Sequence, residues 1–191
     1  MNVVVKTLIG IFTIIDGKIN LLMENNDLIT IRCNDTIESE MEKFRDNNLN
    51  LGDLNLKQCY TFSRKVNDNI EITTLYMDII NYENMDLSKY TLVPINQIQN
   101  NIYTKVLLDN LKNYLTQVST IKKLYPNEFA LPEIQKVYEE VFDKKYDRRN
   151  FRKKLIKMDI IESLNKIDEN KKGRPAKLYR FKNITDEKVL F

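Results

Sequence analysis

The chain has 191 residues, 42% hydrophobic and 30% charged, a globular composition with room for one large or two small domains. It has no histidine, which excludes imidazole bases, Ser-His-Asp triads and the commonest metal ligand, and its two cysteines are too few for a zinc cluster or a disulfide framework. Residues 143–182 hold fifteen Lys or Arg and six Asp or Glu, so +9 of the charge lies there against −6 elsewhere, which predicts a polyanion partner for this part.

The first 90 residues or so predict five strands and one helix. An apolar run over residues 3–15, the turn pair Asp16-Gly17 and a second run over 19–23 are typical of a β-hairpin. The remaining elements follow in chain order: a strand at 28–33, a helix at 36–48 capped by Thr36, and strands at 59–64 and 71–80. This order predicts an α+β domain with a mixed or antiparallel sheet. The segment 92–102, with Pro94 and several amides, is predicted to be a linker.

The C-terminal half predicts three helices and a pair of strands. Leucines at three- and four-residue spacing predict one long amphipathic helix over 104–124. A second helix is predicted over 132–142 with Pro132 in its first turn, and a third over 147–158 with Asp147 as its cap. Two helices with a short connection, followed by alternating strands, are the order of a winged helix-turn-helix domain.

The third helix carries candidate DNA contacts. Its cations fall on one arc, opposite Phe151 and Leu155, when residues are spaced at about 100°. Arg suits bidentate bonds to guanine, and Lys suits phosphate. The predicted contacts are Arg148, Arg149, Asn150, Arg152, Lys153 and Lys157. The alternative is a solvated charged face. Ile156 also falls inside the arc, where a thymine methyl, a partner helix or solvent can meet it.

The stretch GRPAKLYRFK, residues 173–182, is predicted to be the tip and return strand of a wing. Gly173 permits the chain reversal, and Pro175 keeps Arg174 extended. An extended Arg on a stiff tip suits the narrow minor groove. The predicted wing contacts are Lys172, Arg174 and Lys177. The alternative is an ordinary tight turn.

Three motifs in order, LPEIQKVYEEVF, DRRNFRKKLIKM and GRPAKLYRF, resemble the winged helix of the Nudix-related transcriptional regulators over about residues 128–182. The resemblance implies a degenerate Nudix-like domain at 1–95 for effector sensing or dimerisation, and a winged helix-turn-helix domain at 103–191. It also implies a homodimeric regulator, a repressor of a metabolic operon, that binds a palindromic operator in double-stranded DNA. Such a protein is expected in the cytoplasm at the nucleoid, without membrane attachment.

The Nudix signature requires paired glutamates on a helix to bind magnesium. Here the corresponding segment is EMEKFRDNNLNL, with Asn47 and Asn48 at the start of the stretch where paired glutamates are required. We therefore expect neither hydrolysis, nor a metal, nor a cofactor. The resemblance implies an ADP-ribose-like nucleotide or a sugar as effector, with Tyr60, Arg64 and Tyr76 as candidate contacts. Two alternatives stay open: a diverged Nudix hydrolase acting on a nucleoside diphosphate derivative, and an RNA-binding module that uses the same basic surface.

Overall fold

The computed structural model describes residues 2–15, 17–83, 86–125, 127–168, 176–183 and 188–190. The chain forms two compact units, one of residues 1–13 and 20–110 and one of residues 14–19 and 111–191. The division therefore runs through the first hairpin and through a helix, rather than through one connecting segment between residues 95 and 103. In the described part of the chain, no helix combines the length and apolarity needed to cross a membrane.

The first unit is built on a mixed β-sheet. Its elements are β1 (Val3–Ile15), β2 (Lys18–Met23), β3 (Ile29–Arg32), α1 (Ile37–Asp46), a 3₁₀ turn (Leu49–Leu51), β4 (Lys57–Val66), β5 (Asn69–Ile80), β6 (Thr91–Pro94), a second 3₁₀ turn (Ile95–Gln97) and the start of α2 (Ile102–Leu115). The strand order is β4-β5-β1-β2-β6, and β3 also pairs with β1. β1 and β5 run parallel, whereas β4 is antiparallel to β5. The predicted mixed α+β architecture is confirmed.

Successive side chains of β1 point to opposite faces of this sheet. Ile9 and Ile11 face α1, where they share a buried cluster with Met41. Gly10 lies between them and faces α2, where a Cβ atom would stand 2.7 Å from Leu107 Cδ1. The sheet is thus layered between α1 and the first part of α2, and the close approach of α2 explains the glycine.

The segment 92–102 was predicted to be a linker, but it contains most of β6, the second 3₁₀ turn and the first residue of α2. Leu92 pairs with Leu22 of β2 and packs against the buried cluster under α1. Pro94 is what made the segment look like a loop. Pro94 stands at the end of an edge strand, a position where proline is tolerated in a sheet.

The second unit contains the rest of α2, α3 (Val118–Leu124), β7 (Phe129–Ala130), α4 (Leu131–Val141), α5 (Arg148–Lys157), β8 (Ile161–Asp168) and β9 (Ala176–Phe181). The strands form an antiparallel sheet in the order β7-β9-β8. Aromatic rings fill the core of this unit. The ring centroids of Tyr138 and Phe151 are 5.9 Å apart, and those of Phe129 and Phe181 are 4.7 Å apart. Three helices with a small sheet confirm the predicted winged helix-turn-helix fold.

The long helix predicted from the leucine spacing is in fact two helices, α2 and α3. The break lies at Thr116 and Gln117, and Gln117 is extended with φ −86° and ψ 133°. The C-terminal segment fills the break, since Val118 N–H donates to the Lys188 carbonyl (3.0 Å) and Leu190 N–H to the Thr116 carbonyl (2.7 Å). The prediction was wrong because the buried apolar residues keep their helical spacing across the break.

Candidate DNA-binding surface

Glu139 clamps the turn between α4 and α5. Its Oε1 accepts hydrogen bonds from Gln135 Nε2 (2.8 Å) and Tyr146 N–H (3.0 Å), and its Oε2 accepts one from Lys145 Nζ (2.9 Å). Gln135 Nε2 also donates to the Tyr146 carbonyl (2.9 Å). These bonds, that from Gln135 first, lower the pKa of Glu139 from its usual 4.5 to about 2. Tyr146, the residue before the N-cap of α5, is therefore bonded to α4 through both its backbone N–H and its carbonyl group.

The start and the orientation of α5 follow from three residues. Asp147 caps the helix as predicted, because its Oδ1 accepts hydrogen bonds from the N–H groups of Arg149 (3.1 Å) and Asn150 (2.9 Å). Phe151 and Leu155 are buried and hold the opposite side of the helix on the core. The rest of α5 is left facing solvent.

All six predicted contacts on α5 are exposed. The exposed side chains of the helix are Arg148, Arg149, Asn150, Arg152, Lys153, Lys154, Ile156 and Lys157. Within the part of the chain that the structure describes, the guanidinium groups of Arg148, Arg149 and Arg152 form no ion pair. One helix therefore presents a cationic surface whose arginines are available for an external anion.

The first turn of α5 carries Arg148 and Arg149 and no acidic side chain. The N-terminus of a helix carries a partial positive charge, so cations there cost stability, roughly 0.3–1 kcal/mol each. Asp147 already accepts hydrogen bonds from the N–H groups of Arg149 and Asn150, so a phosphate at this end would interact favourably with both arginines and with the helix dipole. Asp147 offsets part of the cost of the two arginines in the isolated protein, and a bound polyanion would offset more of it.

The wing contributes Lys177 to the same unit. Lys177 is exposed on β9 and pairs with Ile167 of β8. Tyr179 and Phe181 of β9 are buried and anchor the strand. The predicted contacts Lys172 and Arg174 lie outside the described residues.

Sequence reasoning missed the residues that hold α5 from behind. Glu139 lies within the motif LPEIQKVYEEVF, but nothing in the motif indicates that its side chain holds the turn before α5. Lys188 Nζ donates to the carbonyl of Met158, which follows α5 (2.8 Å), and Lys182 Nζ pairs with Asp159. Cations at the C-terminal end of a helix interact favourably with its dipole. The contact from Lys188 links residues 30 positions apart, and local sequence patterns carry no signal for it.

The candidate effector residues of the first unit do not share one face of the sheet. A β-bulge lies between Gln58 and Tyr60 in β4. Gln58 therefore pairs with Tyr76 of β5, whereas Tyr60 pairs with Leu75. Tyr60 and Arg64 therefore lie on one face and Tyr76 on the other, where its hydroxyl donates to Gln58 Oε1 (3.2 Å). Arg64 pairs with Glu71, which partly neutralises its charge.

Asn48, where the Nudix signature calls for acidic residues, has a structural role. It is 3% exposed; its Nδ2 donates to the Phe44 carbonyl (2.7 Å) and its Oδ1 accepts from the Tyr90 hydroxyl (2.6 Å). Burial raises the pKa of Tyr90 to about 12, so the hydroxyl remains a donor. Among the described residues, no group of three His, Cys, Asp or Glu side chains is placed to hold a metal ion. Asn48 closes the end of α1 with both of its amide atoms engaged.

A sheet layered between helices, followed by a winged helix-turn-helix domain with an exposed cationic helix, is typical of a class of DNA-binding regulators. Residues 121–181 match the family model of the NrtR DNA-binding winged helix domain. This part of the chain is therefore similar to the winged helix of NrtR, and the resemblance to Nudix-related transcriptional regulators is confirmed.

Solved structures share the fold of nearly the whole chain. The crystal structure of Shewanella oneidensis NrtR complexed with a 27mer DNA aligns with a TM-score of 0.68 and 17% identity over 93% of each chain. The crystal structure of Shewanella oneidensis NrtR gives a TM-score of 0.63 and 18% identity over 94% of each chain. A MutT/nudix family protein from Enterococcus faecalis gives 0.56 and 14%, over 94% of this chain and 88% of that one. No curated protein matches the sequence.

Proposed function

We propose that the protein is a transcriptional regulator, a repressor of a metabolic operon, that binds a palindromic operator in double-stranded DNA as a homodimer. The observation that carries the proposal is α5, a capped helix whose exposed arginines form no ion pair with the described residues, within a segment that matches a DNA-binding winged helix family. The proposed contacts are those of α5 together with Lys172, Arg174 and Lys177 of the wing. Residues 103–191 bind DNA in this proposal, and the site of action is the nucleoid in the cytoplasm.

Fluorescence anisotropy of the full chain with duplex DNA from upstream of its own gene tests this function. Neutralised phosphates release counterions, so the affinity should fall steeply as salt rises. Arg152→Ala should weaken binding about 5- to 150-fold if the arginine reads a base, or lower the salt slope by about one if it contacts a phosphate. Arg45→Ala, the same substitution on the exposed surface of α1, is the matched control and should have no effect. Binding that ignores both salt and Arg152→Ala would rule out the function.

For residues 1–95 we propose the sensing of a small molecule, an ADP-ribose-like nucleotide or a sugar, without hydrolysis. Support comes from the layered fold and from Asn48, which is committed to the Phe44 carbonyl and to Tyr90. A ligand that binds the folded state raises its melting temperature by mass action. Thermal-shift measurements on the full chain with nucleotides and sugars test the sensing role. Product analysis of the same mixtures with magnesium tests the absence of hydrolysis. Release of phosphate or of a nucleoside monophosphate would show that the domain is a hydrolase.

A further inference from the structure

Ile156 is the single apolar side chain on the exposed side of α5. It is 48% exposed, whereas the preceding Leu155 is 1% exposed and belongs to the core. Every other exposed position of the helix carries a cation or an amide. Isolated apolar residues are common on protein surfaces. The position of this one, inside a cationic surface, is what requires an explanation.

The folding of α5 does not explain an isoleucine there. A β-branched side chain loses rotamer freedom in a helix, and Lys, Arg or Ala would favour the helix more. Half of the side chain stays in water, so burial within the chain returns only part of its hydrophobic free energy. A ligand that covers Ile156 would recover the remainder.

The neighbours of Ile156 specify the chemistry of that ligand. Arg149, Arg152 and Lys153 precede it by seven, four and three residues, so the four side chains form one ridge along the helix. The ligand must be a polyanion that carries an apolar group within reach of the ridge. A second copy of the chain fits poorly, because a symmetric contact would bring the cations of two α5 helices together.

Duplex DNA meets both requirements, since the thymine 5-methyl group is the apolar group displayed in its major groove. Arg149 and Ile156 are about 10.5 Å apart along the helix axis, at about 1.5 Å per residue. That distance is about three base-pair steps at about 3.4 Å each. Resting on the proposed DNA-binding function, we propose that Ile156 contacts the 5-methyl group of a thymine about three base pairs from the position contacted by Arg149. Ile156 is then a specificity-determining residue of the recognition helix.

The test replaces a single methyl group. The full chain is used to enrich duplexes from a randomised library, and the consensus is synthesised with each thymine changed in turn to deoxyuridine, which removes only the 5-methyl. At one thymine in each half-site, this change should weaken binding of the unmodified protein about fourfold, the factor for one buried methyl group. Ile156→Ala should lose the sensitivity at that position. It should still fold, because Ala favours the helix more than Ile.

Leu49→Ala is the control for loss of an exposed aliphatic side chain, since Leu49 is 75% exposed in the first unit. This variant should keep the full response to deoxyuridine. The inference is overturned if no thymine is sensitive, if Ile156→Ala stays as sensitive as the unmodified protein, or if Ile156→Ala changes the sedimenting mass, which would identify a protein interface. If no sequence is enriched and binding ignores salt, the proposed function fails, and the inference fails with it.

Discussion

Removal of the Glu139 carboxylate tests how the orientation of α5 is fixed. The side chain is 14% exposed, and its Oε1 accepts hydrogen bonds from Gln135 and from the Tyr146 N–H. Each donor left without an acceptor costs about 1–3 kcal/mol, so Glu139→Ala should lower the local stability by about 2–3 kcal/mol. The pair with Lys145 adds about 0.5 kcal/mol or less, because the lysine side chain is 90% exposed.

Two compact units need not unfold in one step, so a local measurement is required. Amide hydrogen exchange of Tyr146, measured by NMR on the full chain, reports the opening of the turn itself. Glu139→Ala should reduce its protection roughly 30- to 150-fold, the factor that corresponds to 2–3 kcal/mol. Glu139→Gln keeps an oxygen acceptor and should lower the local stability of the turn by less than about 1 kcal/mol. Glu42→Ala, on the exposed surface of α1, is the control and should leave the Tyr146 amide unchanged.

The pH dependence of the same signal has a defined sign. The pKa of Glu139 falls from 4.5 to about 2 in the folded chain, so the ionised carboxylate stabilises the turn above about pH 4.5 and this stabilisation is lost as the pH falls toward 2. The difference between the unmodified protein and Glu139→Gln should shrink over that range. The reasoning fails if the protection of the Tyr146 amide in Glu139→Ala lies within threefold of its value in the unmodified protein. It also fails if Glu139→Gln reduces this protection as much as Glu139→Ala does.

Two further substitutions test the packing of the first unit. Gly10→Ala would place a Cβ atom 2.7 Å from Leu107 Cδ1 and should destabilise the unit by about 1–3 kcal/mol in urea unfolding. The same substitution should cost less when it is made in a chain that already carries Leu107→Ala, because the clash is then removed. Asn48→Ala should cost about 2–3 kcal/mol in the same assay, because it leaves the buried Tyr90 hydroxyl without its acceptor. A change below about 0.5 kcal/mol in either variant would show that the contact does not contribute to stability.

Features set by neighbouring residues were predictable from the sequence. The caps Thr36 and Asp147 are recognisable because a short polar side chain precedes a helical pattern, and both accept hydrogen bonds from the first turn of their helices. The exposure of the cations on α5 was predictable for the same reason, since the periodicity that buries Phe151 and Leu155 also exposes the cations between them. The exposed cationic surface of α5 therefore follows from local pattern alone.

Features set by distant residues were not predictable. The break between α2 and α3 depends on the C-terminal segment, and Glu139 acts through Tyr146 across the turn. In β4, one extra residue at the bulge moves Tyr60 to the face opposite Tyr76, so strand alternation alone could not show which aromatic side chains lie together.

The parallel pairing of β1 with β5 has a consequence for synthesis of the protein. Val3 partners Ile70, and the register continues to Thr13 with Ile80, so the two strands are separated by 67 residues of chain. At about 5–20 residues per second, a ribosome delivers β5 roughly 3–13 s after β1. During that interval one edge of the apolar strand VVVKTLIGIFTII has no partner strand. Lys6 is the only charged residue of this strand. Charged residues at a strand edge disfavour pairing with other chains, and in β1 this contribution comes from Lys6 alone.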